Sequence, residues 1–255
     1  MEKFFINLGR KLGTTVNRGK WYYKLLFGSE DEAIEAEHVL GKALAANISQ
    51  EMKIAGDPIR QELLDEVGGK LVAKVVNKKR KFKFQIFKTN DINAFALPGG
   101  FIFVTHALLD KIELNRDETA YILAHEIMHV VLKHPINRIL TNYSTQIISN
   151  IFVKGGAVGL MAKQLIGSLL QSTYSQDNEF EADNYAVRLM KSAGFDPQAS
   201  KLVLAKLAAN SSKDIPVYNY FLSHPTIAER IEKIDNVLGT NDSSTEISAR
   251  KNSDQ

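Results

Sequence analysis

The spacing of apolar residues predicts two long helices near the start of the chain, followed by a strand. Residues 31–54 and 58–77 carry apolar side chains at helical intervals. The second helix begins at Asp57-Pro58, where a capping aspartate precedes the proline that is favoured in a first helical turn. Residues 82–88 instead alternate between apolar and polar side chains, which is the period of a half-buried strand. The first third of the chain therefore combines helices with the first element of a sheet.

Two further strands are predicted at residues 93–105, where Pro98-Gly99-Gly100 divides an apolar run with a turn signal. Beyond them the pattern is almost wholly helical. From Gly239 onward the sequence is polar and poor in hydrophobic residues, which predicts a disordered tail. We therefore expect an α+β fold, with a mostly helical body and a small antiparallel or mixed sheet. The predicted parts are an N-terminal helical region over residues 1–80 that packs on the rest, a main domain over 81–238 and a tail over 239–255.

Composition narrows the chemistry that the chain can perform. Among the 255 residues, 32 basic side chains stand against 29 acidic ones, and this near-balance gives no electrostatic case for binding nucleic acid. The sequence contains no cysteine, which excludes disulfides, thiolate nucleophiles and cysteine-ligated zinc. Any bound metal must therefore be held by histidine, aspartate or glutamate.

Two apolar segments bear on export and on membrane contact. Near the N-terminus, Phe4-Phe5-Ile6 is too short for the core of a signal peptide, so we expect either a protein that is not exported or a mature form. Residues 147–170 are the most apolar stretch, but Lys154 and Lys163 interrupt it, whereas a membrane-spanning helix needs about 20 nearly unbroken apolar residues. We expect buried helices there, with peripheral contact to a membrane as the alternative.

A helix predicted from Asp117 to Lys133 carries the first candidate catalytic groups. His125 and His129 are four residues apart and therefore share one helical face, where two imidazoles can bind a single zinc ion. Glu126 then lies close enough to take a proton from water on the metal. The alternative, two core histidines satisfied by hydrogen bonds, would place polar groups inside an apolar helix at considerable cost. The pattern therefore indicates a zinc hydrolase.

The third metal ligand is predicted further along the chain. The sequence after His129 lacks the glycine and the third histidine of a metzincin, and His134 is interpreted as a residue at the end of the helix. Glu179 and Asp183 lie four residues apart on one face of a later helix. We expect Glu179 to bind the metal and Asp183 to accept the free N–H of a liganding histidine. Glu181 points away from that face.

These motifs resemble those of the M48 family of zinc peptidases, which contains the Ste24-type prenyl-protein protease and bacterial envelope-quality-control proteases. The matching segments are His-Glu-x-x-His at 125–129, Glu-x-x-Ala-Asp at 179–183, Asn-Ala-Phe-Ala-Leu-Pro-Gly-Gly-Phe-Ile at 93–102, and Ser223-His224-Pro225 with Arg230-Ile231. The sequence departs from the family at Ser175-Gln176-Asp177, where an arginine is common. That departure puts a salt bridge or a substrate contact in doubt, and leaves the zinc site intact.

The resemblance implies a gluzincin-like fold in which the domain over 81–238 is a zinc endopeptidase with one zinc ion per chain. A protein or peptide substrate is expected to add a strand beside the segment 93–97. The candidate substrate contacts are Asn93, Ala94, Phe95, Ala96 and Arg230. The implied substrates are misfolded or envelope proteins. The implied location is the bacterial periplasm or cell envelope, with the cytoplasm as the alternative.

In the expected mechanism, Glu126 activates water at the zinc ion and then returns the proton to the leaving amine. His224 is the candidate donor to the oxyanion; the same imidazole could instead close the metal's fourth position, or simply cap the next helix. The alternative function is a peptide-binding chaperone or assembly factor with a structural zinc site, which would have no use for Glu126.

Overall fold

A helical body surrounds a small sheet in the computed structural model, which describes residues 23–51, 56–142, 174–209 and 227–251. Within these ranges the main helices are α1 (Glu30–Glu51), α2 (Pro58–Val72), α3 (His106–Lys111), α4 (Arg116–Val131), α5 (His134–Asn142), α6 (Gln176–Ala193), α7 (Ala199–Ala208) and α8 (Ile227–Lys251). The strands are β1 (Lys83–Phe87), β2 (Ala94–Leu97) and β3 (Phe101–Thr105). This architecture confirms the predicted α+β fold with a small mixed sheet.

The three strands lie in the order β1–β3–β2. The central strand β3 is parallel to β1 and antiparallel to β2, and Phe95 of β2 lies opposite Phe103 of β3. Pro98–Gly100, the predicted turn signal, joins β2 directly to β3 as a short 3₁₀ turn. Among the strands that the structure describes, β2 is therefore an edge strand.

Alternation along the strands divides the hydrophobic core into two parts. On one face of the sheet, Ala94 and Ala96 pack with apolar residues of α2, α4, α6 and α7. Because alanine is small, α4 can approach β2 closely on this face. The other face packs against α1 and α5 and carries an aromatic cluster formed by Phe87, Phe95, Phe101 and Phe103.

Helix α1 fixes the turn between β2 and β3 by close backbone contact. A Cβ atom added at Gly41 would lie 1.7 Å from the carbonyl oxygen of Pro98, so only glycine fits on this face of the helix. Gly99 has a φ of +72°, and a Cβ atom there would lie 2.3 Å from the Cα of His38. The Nδ1 atom of His38 lies 3.0 Å from the carbonyl oxygen of Gly99. These contacts hold the edge of the sheet against α1.

Two helix ends differ from the sequence prediction. Helix α8 continues to Lys251, past Gly239, where the disordered tail was predicted to begin. Helix α2 ends at Val72 rather than at residue 77, and the ammonium group of Lys78 binds the carbonyl oxygens that follow its last turn.

The apolar segment 147–170, predicted to form buried helices, lies outside the described residues. Among the helices that are described, none is both long enough and apolar enough to cross a membrane. The division of the chain at residues 80 and 238 stays a prediction. Leu64 and Leu71 of α2 are fully buried in the same core cluster as α4, which lies on the other side of the predicted first boundary.

Candidate active site

Two capped helices, α4 and α6, carry most of the predicted site residues. The side chain of Asn115 accepts hydrogen bonds from the backbone N–H groups of Asp117 and Glu118 at the start of α4. The hydroxyl of Ser175 accepts from the N–H of Asn178 at the start of α6. The two helices pack against each other. Fixed helix starts set the rotation of each helix, and therefore which side chains meet between them.

The imidazoles of His125 and His129 and the carboxylate of Glu179 converge between α4 and α6. The Nε2 atoms of the two histidines are 3.0 Å apart. The carboxylate oxygens of Glu179 lie 3.4 Å from Nε2 of His125 and 3.3 Å from Nε2 of His129. All three residues are buried, with at most 1% of their surface exposed. The structure thus brings together the three residues that the sequence analysis predicted as metal ligands.

The spacing of these donor atoms fits a zinc ion. Zinc binds imidazole nitrogen and carboxylate oxygen at about 2.0–2.1 Å with tetrahedral geometry, which separates neighbouring ligand atoms by about 3.3–3.4 Å. The two distances between histidine and carboxylate fall in that range, and the distance between the two imidazoles is slightly shorter. Three protein ligands, the number found among the described residues, leave one tetrahedral position for water or substrate, as in a catalytic zinc site.

Asp183 orients the first of the two imidazoles. Its Oδ1 atom lies 2.8 Å from Nδ1 of His125, which leaves Nε2 of that ring to face Glu179. Arg230 donates to both oxygens of Asp183, over 2.7 and 2.9 Å, and Tyr121 donates its hydroxyl proton over 2.8 Å. Arg230 also lies 2.9 Å from Glu179. One buried guanidinium thus joins a predicted metal ligand to the carboxylate that orients another.

The buried charges shift the pKa values within the site. Burial opposes ionisation of Asp183, but Arg230 and His125 outweigh it and hold the pKa of Asp183 at about 2. Burial and Arg230 oppose protonation of His125, yet Asp183 and Glu179 outweigh them and raise its pKa to about 9. Within the described part of the site, three buried carboxylates, including Glu126, stand against one buried guanidinium and the protonated ring of His125. This excess of negative charge favours a bound cation.

His134 and Glu181 lie beside the predicted ligands, although the sequence analysis interpreted His134 as a residue at the end of a helix and Glu181 as pointing away from the ligand face. His134 is 6% exposed, and its Nδ1 atom lies 2.9 Å from Nδ1 of His129. The Nε2 atom of His134 lies 3.4 Å from the carboxylate of Glu181. Burial lowers the pKa of His134, which favours the neutral ring. The ring of Tyr174 stacks on His129, with centroids 4.2 Å apart. The second imidazole is therefore supported by a different set of neighbours from the first.

Arg230 occupies a different place from the one that the sequence analysis predicted. It was a candidate substrate contact, but its side chain is fully buried and its guanidinium binds Asp183 and Glu179. Helix α8 packs on α6 and so delivers Arg230 from the side of the protein core. Arg230 therefore holds the predicted ligand Glu179 and the orienting residue Asp183 in place.

The remaining predicted site residues lie on α4, on β2 and beyond the described chain. Glu126 is buried in α4, next to His125. Asn93 immediately precedes the edge strand β2, and the N–H of Asn93 binds the hydroxyl of Thr105. The other candidate substrate contacts on β2 are Ala94, Phe95 and Ala96. His224 lies outside the described residues, so its two proposed roles stay predictions.

Comparison with known proteins agrees with this site. The sequence profile of Peptidase family M48 matches residues 58–238, which is well over half of the chain. The chain belongs to Peptidase family M48. The resemblance drawn from the motifs is therefore confirmed, and the predicted His-His-Glu cluster lies within the matched region of this M48 chain.

Named relatives of this M48 chain are proteases. The beta-barrel assembly-enhancing protease of Yersinia pestis is 28% identical over 215 residues, which cover 80% of this chain and 44% of the relative. Metalloprotease LoiP of Escherichia coli is 30% identical over 156 residues, which cover 59% of this chain and 60% of LoiP. The crystal structure of S. mikatae Ste24p matches with a TM-score of 0.41 and 18% identity, over 89% of this chain and 63% of that one. The M48 chain thus spans less than two thirds of each of these proteins.

Proposed function

We propose that this M48 chain is a zinc-dependent endopeptidase that hydrolyses peptide bonds of protein substrates. The observation that supports this most is the convergence of His125, His129 and Glu179, together with the buried residue Glu126 that follows His125 in α4. A structural zinc site would use four protein ligands and would need no acid–base group next to them. Three predicted ligands with an adjacent buried glutamate instead suit hydrolysis.

Each protein group has a role in the proposed reaction. His125, His129 and Glu179 would hold the zinc ion, which would lower the pKa of bound water to about 7 and polarise the carbonyl of the scissile peptide. Glu126 accepts a proton from the attacking water and donates it to the leaving amine. Asp183 holds His125 in the tautomer that presents Nε2 to the metal. His224 is proposed either to donate to the developing oxyanion or to cap the metal.

We propose that the substrate adds a strand at the outer edge of β2. The backbone N–H of Thr105 donates to the carbonyl oxygen of Asn93, so this residue and every second one after it face β3. The backbone groups of Ala94 and Ala96 then face the opposite edge, on the strand that packs against α4. Both alanines are buried, so a substrate strand reaches them only by displacing what covers them.

We propose misfolded or envelope proteins as substrates and the bacterial periplasm or cell envelope as the location. The support comes from the relatives, which include a Yersinia pestis protease named for enhancing β-barrel assembly and LoiP of Escherichia coli. Fractionation of cells that produce the native protein tests the location. Recovery in the cytoplasmic fraction would contradict it.

The test of the function combines metal analysis with cleavage of an unfolded protein. Zinc content and hydrolysis of unfolded casein are measured for the parent chain, for Glu126→Gln and for Glu62→Gln, a control at an exposed position of α2. We expect about one zinc per chain in all three proteins. Hydrolysis should survive in the control, and it should be lost in Glu126→Gln and after chelation.

Two results would contradict the proposal. Equal turnover by Glu126→Gln and by the parent would remove Glu126 as the base. Zinc that is bound but never supports cleavage, together with suppression of casein aggregation, would favour the alternative of a chaperone with a structural zinc site.

A further inference from the structure

The residues between α4 and α5 turn the chain back towards α4, the helix that carries His125 and His129. Lys133 has a φ of +63°, a left-handed conformation that residues other than glycine rarely adopt. The next residue is His134, and the turn brings its ring beside His129, with the two Nδ1 atoms 2.9 Å apart. A strained turn thus places a buried imidazole at hydrogen-bonding distance from a predicted metal ligand.

The hydrogen bond between the two rings can run in either direction, and only one direction suits a metal ligand. If His129 donates from Nδ1, its Nε2 keeps a lone pair that faces His125 and Glu179. If His134 donates instead, the proton of a neutral His129 sits on Nε2 and blocks ligation. The protonation site on His134 therefore decides whether His129 can bind a metal.

Glu181 selects the productive direction. Its carboxylate lies 3.4 Å from Nε2 of His134, and an ionised carboxylate can only accept a hydrogen bond, so it favours the tautomer of His134 with the proton on Nε2. With the proton of His134 on Nε2, the Nδ1 lone pair of that ring faces His129 and accepts its N–H. His129 thus donates from Nδ1 to His134, and His134 donates from Nε2 to Glu181. This arrangement leaves Nε2 of His129 unprotonated where it faces Glu179.

We propose that His134 and Glu181 act as positioning residues that fix the tautomer of His129 and thereby set the affinity of the site for zinc. This inference rests on the proposed zinc site, but it does not depend on peptidase activity. It gives the two histidine ligands unlike supports. Nδ1 of His125 donates directly to the carboxylate of Asp183 over 2.8 Å, whereas Nδ1 of His129 faces the ring of His134, whose Nε2 in turn faces the carboxylate of Glu181.

The first test reads the tautomers directly. Long-range proton–nitrogen correlation spectra of the ¹⁵N-histidine-labelled chain at neutral pH report which ring nitrogen carries the proton. We expect His129 protonated at Nδ1 and His134 protonated at Nε2 in the metal-free protein, before a bound ion can impose this arrangement. In Glu181→Ala, His134 should shift towards protonation at Nδ1, whereas Glu181→Gln, whose amide oxygen still accepts, should retain the parent pattern. A parent protein with His134 protonated at Nδ1 would overturn the proposal.

The second test measures zinc affinity by competition with a chelator. Loss of a residue that orients a metal ligand typically weakens binding by about 10–100-fold, so we expect that loss in His134→Leu. His134→Gln keeps a hydrogen-bond acceptor, so its zinc affinity should fall less than that of His134→Leu. His106→Gln changes a histidine outside the site and should bind zinc like the parent. Glu181→Ala, at a half-exposed helical position, keeps the test decisive if His134→Leu does not fold.

The outcomes separate this inference from the proposed function. Parent-like zinc affinity in both His134→Leu and Glu181→Ala would refute the positioning roles, whatever the peptidase activity. A chain that binds zinc and loses affinity in these variants, but cleaves no protein, would refute the proposed function and leave the positioning roles standing.

Discussion

Replacing Arg230 by methionine tests whether this residue organises the site or contacts substrate. The side chain is fully buried, and its guanidinium lies within 2.9 Å of Asp183 and Glu179 and 3.0 Å from the hydroxyl of Tyr121. Methionine preserves much of the volume but removes every one of these donors. Asp183 and Glu179 then lose the positive charge that they share.

The expected loss of stability is large. Removing one partner of a buried ion pair costs about 3–5 kcal/mol, because the remaining charge stays buried without compensation. For a chain of this size each kcal/mol lowers Tm by about 2–4 °C, so Arg230→Met should melt roughly 6–20 °C below the parent when metal-free. Zinc at Glu179 would return part of the missing positive charge, so the difference should shrink in zinc-loaded protein.

Thermal unfolding followed by circular dichroism measures the difference in Tm between the variant and the parent, first without metal and then with saturating zinc. Arg230→Lys is the matched variant, because it keeps the charge but lacks the planar fork that binds both oxygens of Asp183. The Tm of Arg230→Lys should lie between those of the parent and of Arg230→Met. An unchanged Tm in metal-free Arg230→Met, accompanied by a raised KM, would refute this reasoning and restore the substrate contact predicted from the sequence.

Four further predictions address other parts of the molecule. Gly41→Ala should lower Tm and raise KM together, because its Cβ atom would lie 1.7 Å from the carbonyl oxygen of Pro98 and push the β2–β3 turn away; parent-like kinetics and melting would argue against that contact. The pKa of Asp183 is about 2 when folded, below its ordinary 3.8, so its ionised form stabilises the protein above about pH 4 and this contribution is lost as the pH falls through about 2. Metal-free Asp183→Asn should therefore melt below the parent at pH 7, and the gap should narrow between pH 4 and pH 2; a constant gap would exclude this cause. Ala96→Pro removes a backbone donor from the outer edge of β2 and should raise KM with little change in zinc content, and an unchanged KM would place the substrate elsewhere. His224→Ala should lower turnover by about 10²–10³ if His224 stabilises the oxyanion, or raise it if His224 caps the metal, and unchanged kinetics would reject both roles.

The sequence was sufficient to propose the metal ligands because regular helices fix the relation between spacing and direction. His125 and His129 on α4, and Glu179 and Asp183 on α6, are each four residues apart. Two such pairs on helices that pack together can meet in only a few ways. Strand β1 was predictable because the alternation of apolar and polar residues over 82–88 is visible without any tertiary contact, and β2 and β3 were predictable because Pro98-Gly99-Gly100 divides an apolar run.

The supporting residues were not predictable because their roles depend on events that no local pattern records. Arg230 reaches Asp183 only after α8 has docked on α6. His134 reaches His129 only because Lys133 adopts a left-handed conformation that its side chain does not favour. Such positions are set by the completed fold, and a sequence shows only that a charged or polar residue is present.

The contact between α1 and the sheet has a practical consequence for the choice of fragments. The family profile begins at residue 58, after α1 has ended at Glu51. Leu40, Leu44 and Ile48 of α1 nevertheless complete the core around the aromatic face of the sheet. A fragment cut at the start of the family match would expose that face to water and invite aggregation. The shortest fragment that stays soluble should therefore start ahead of Glu30.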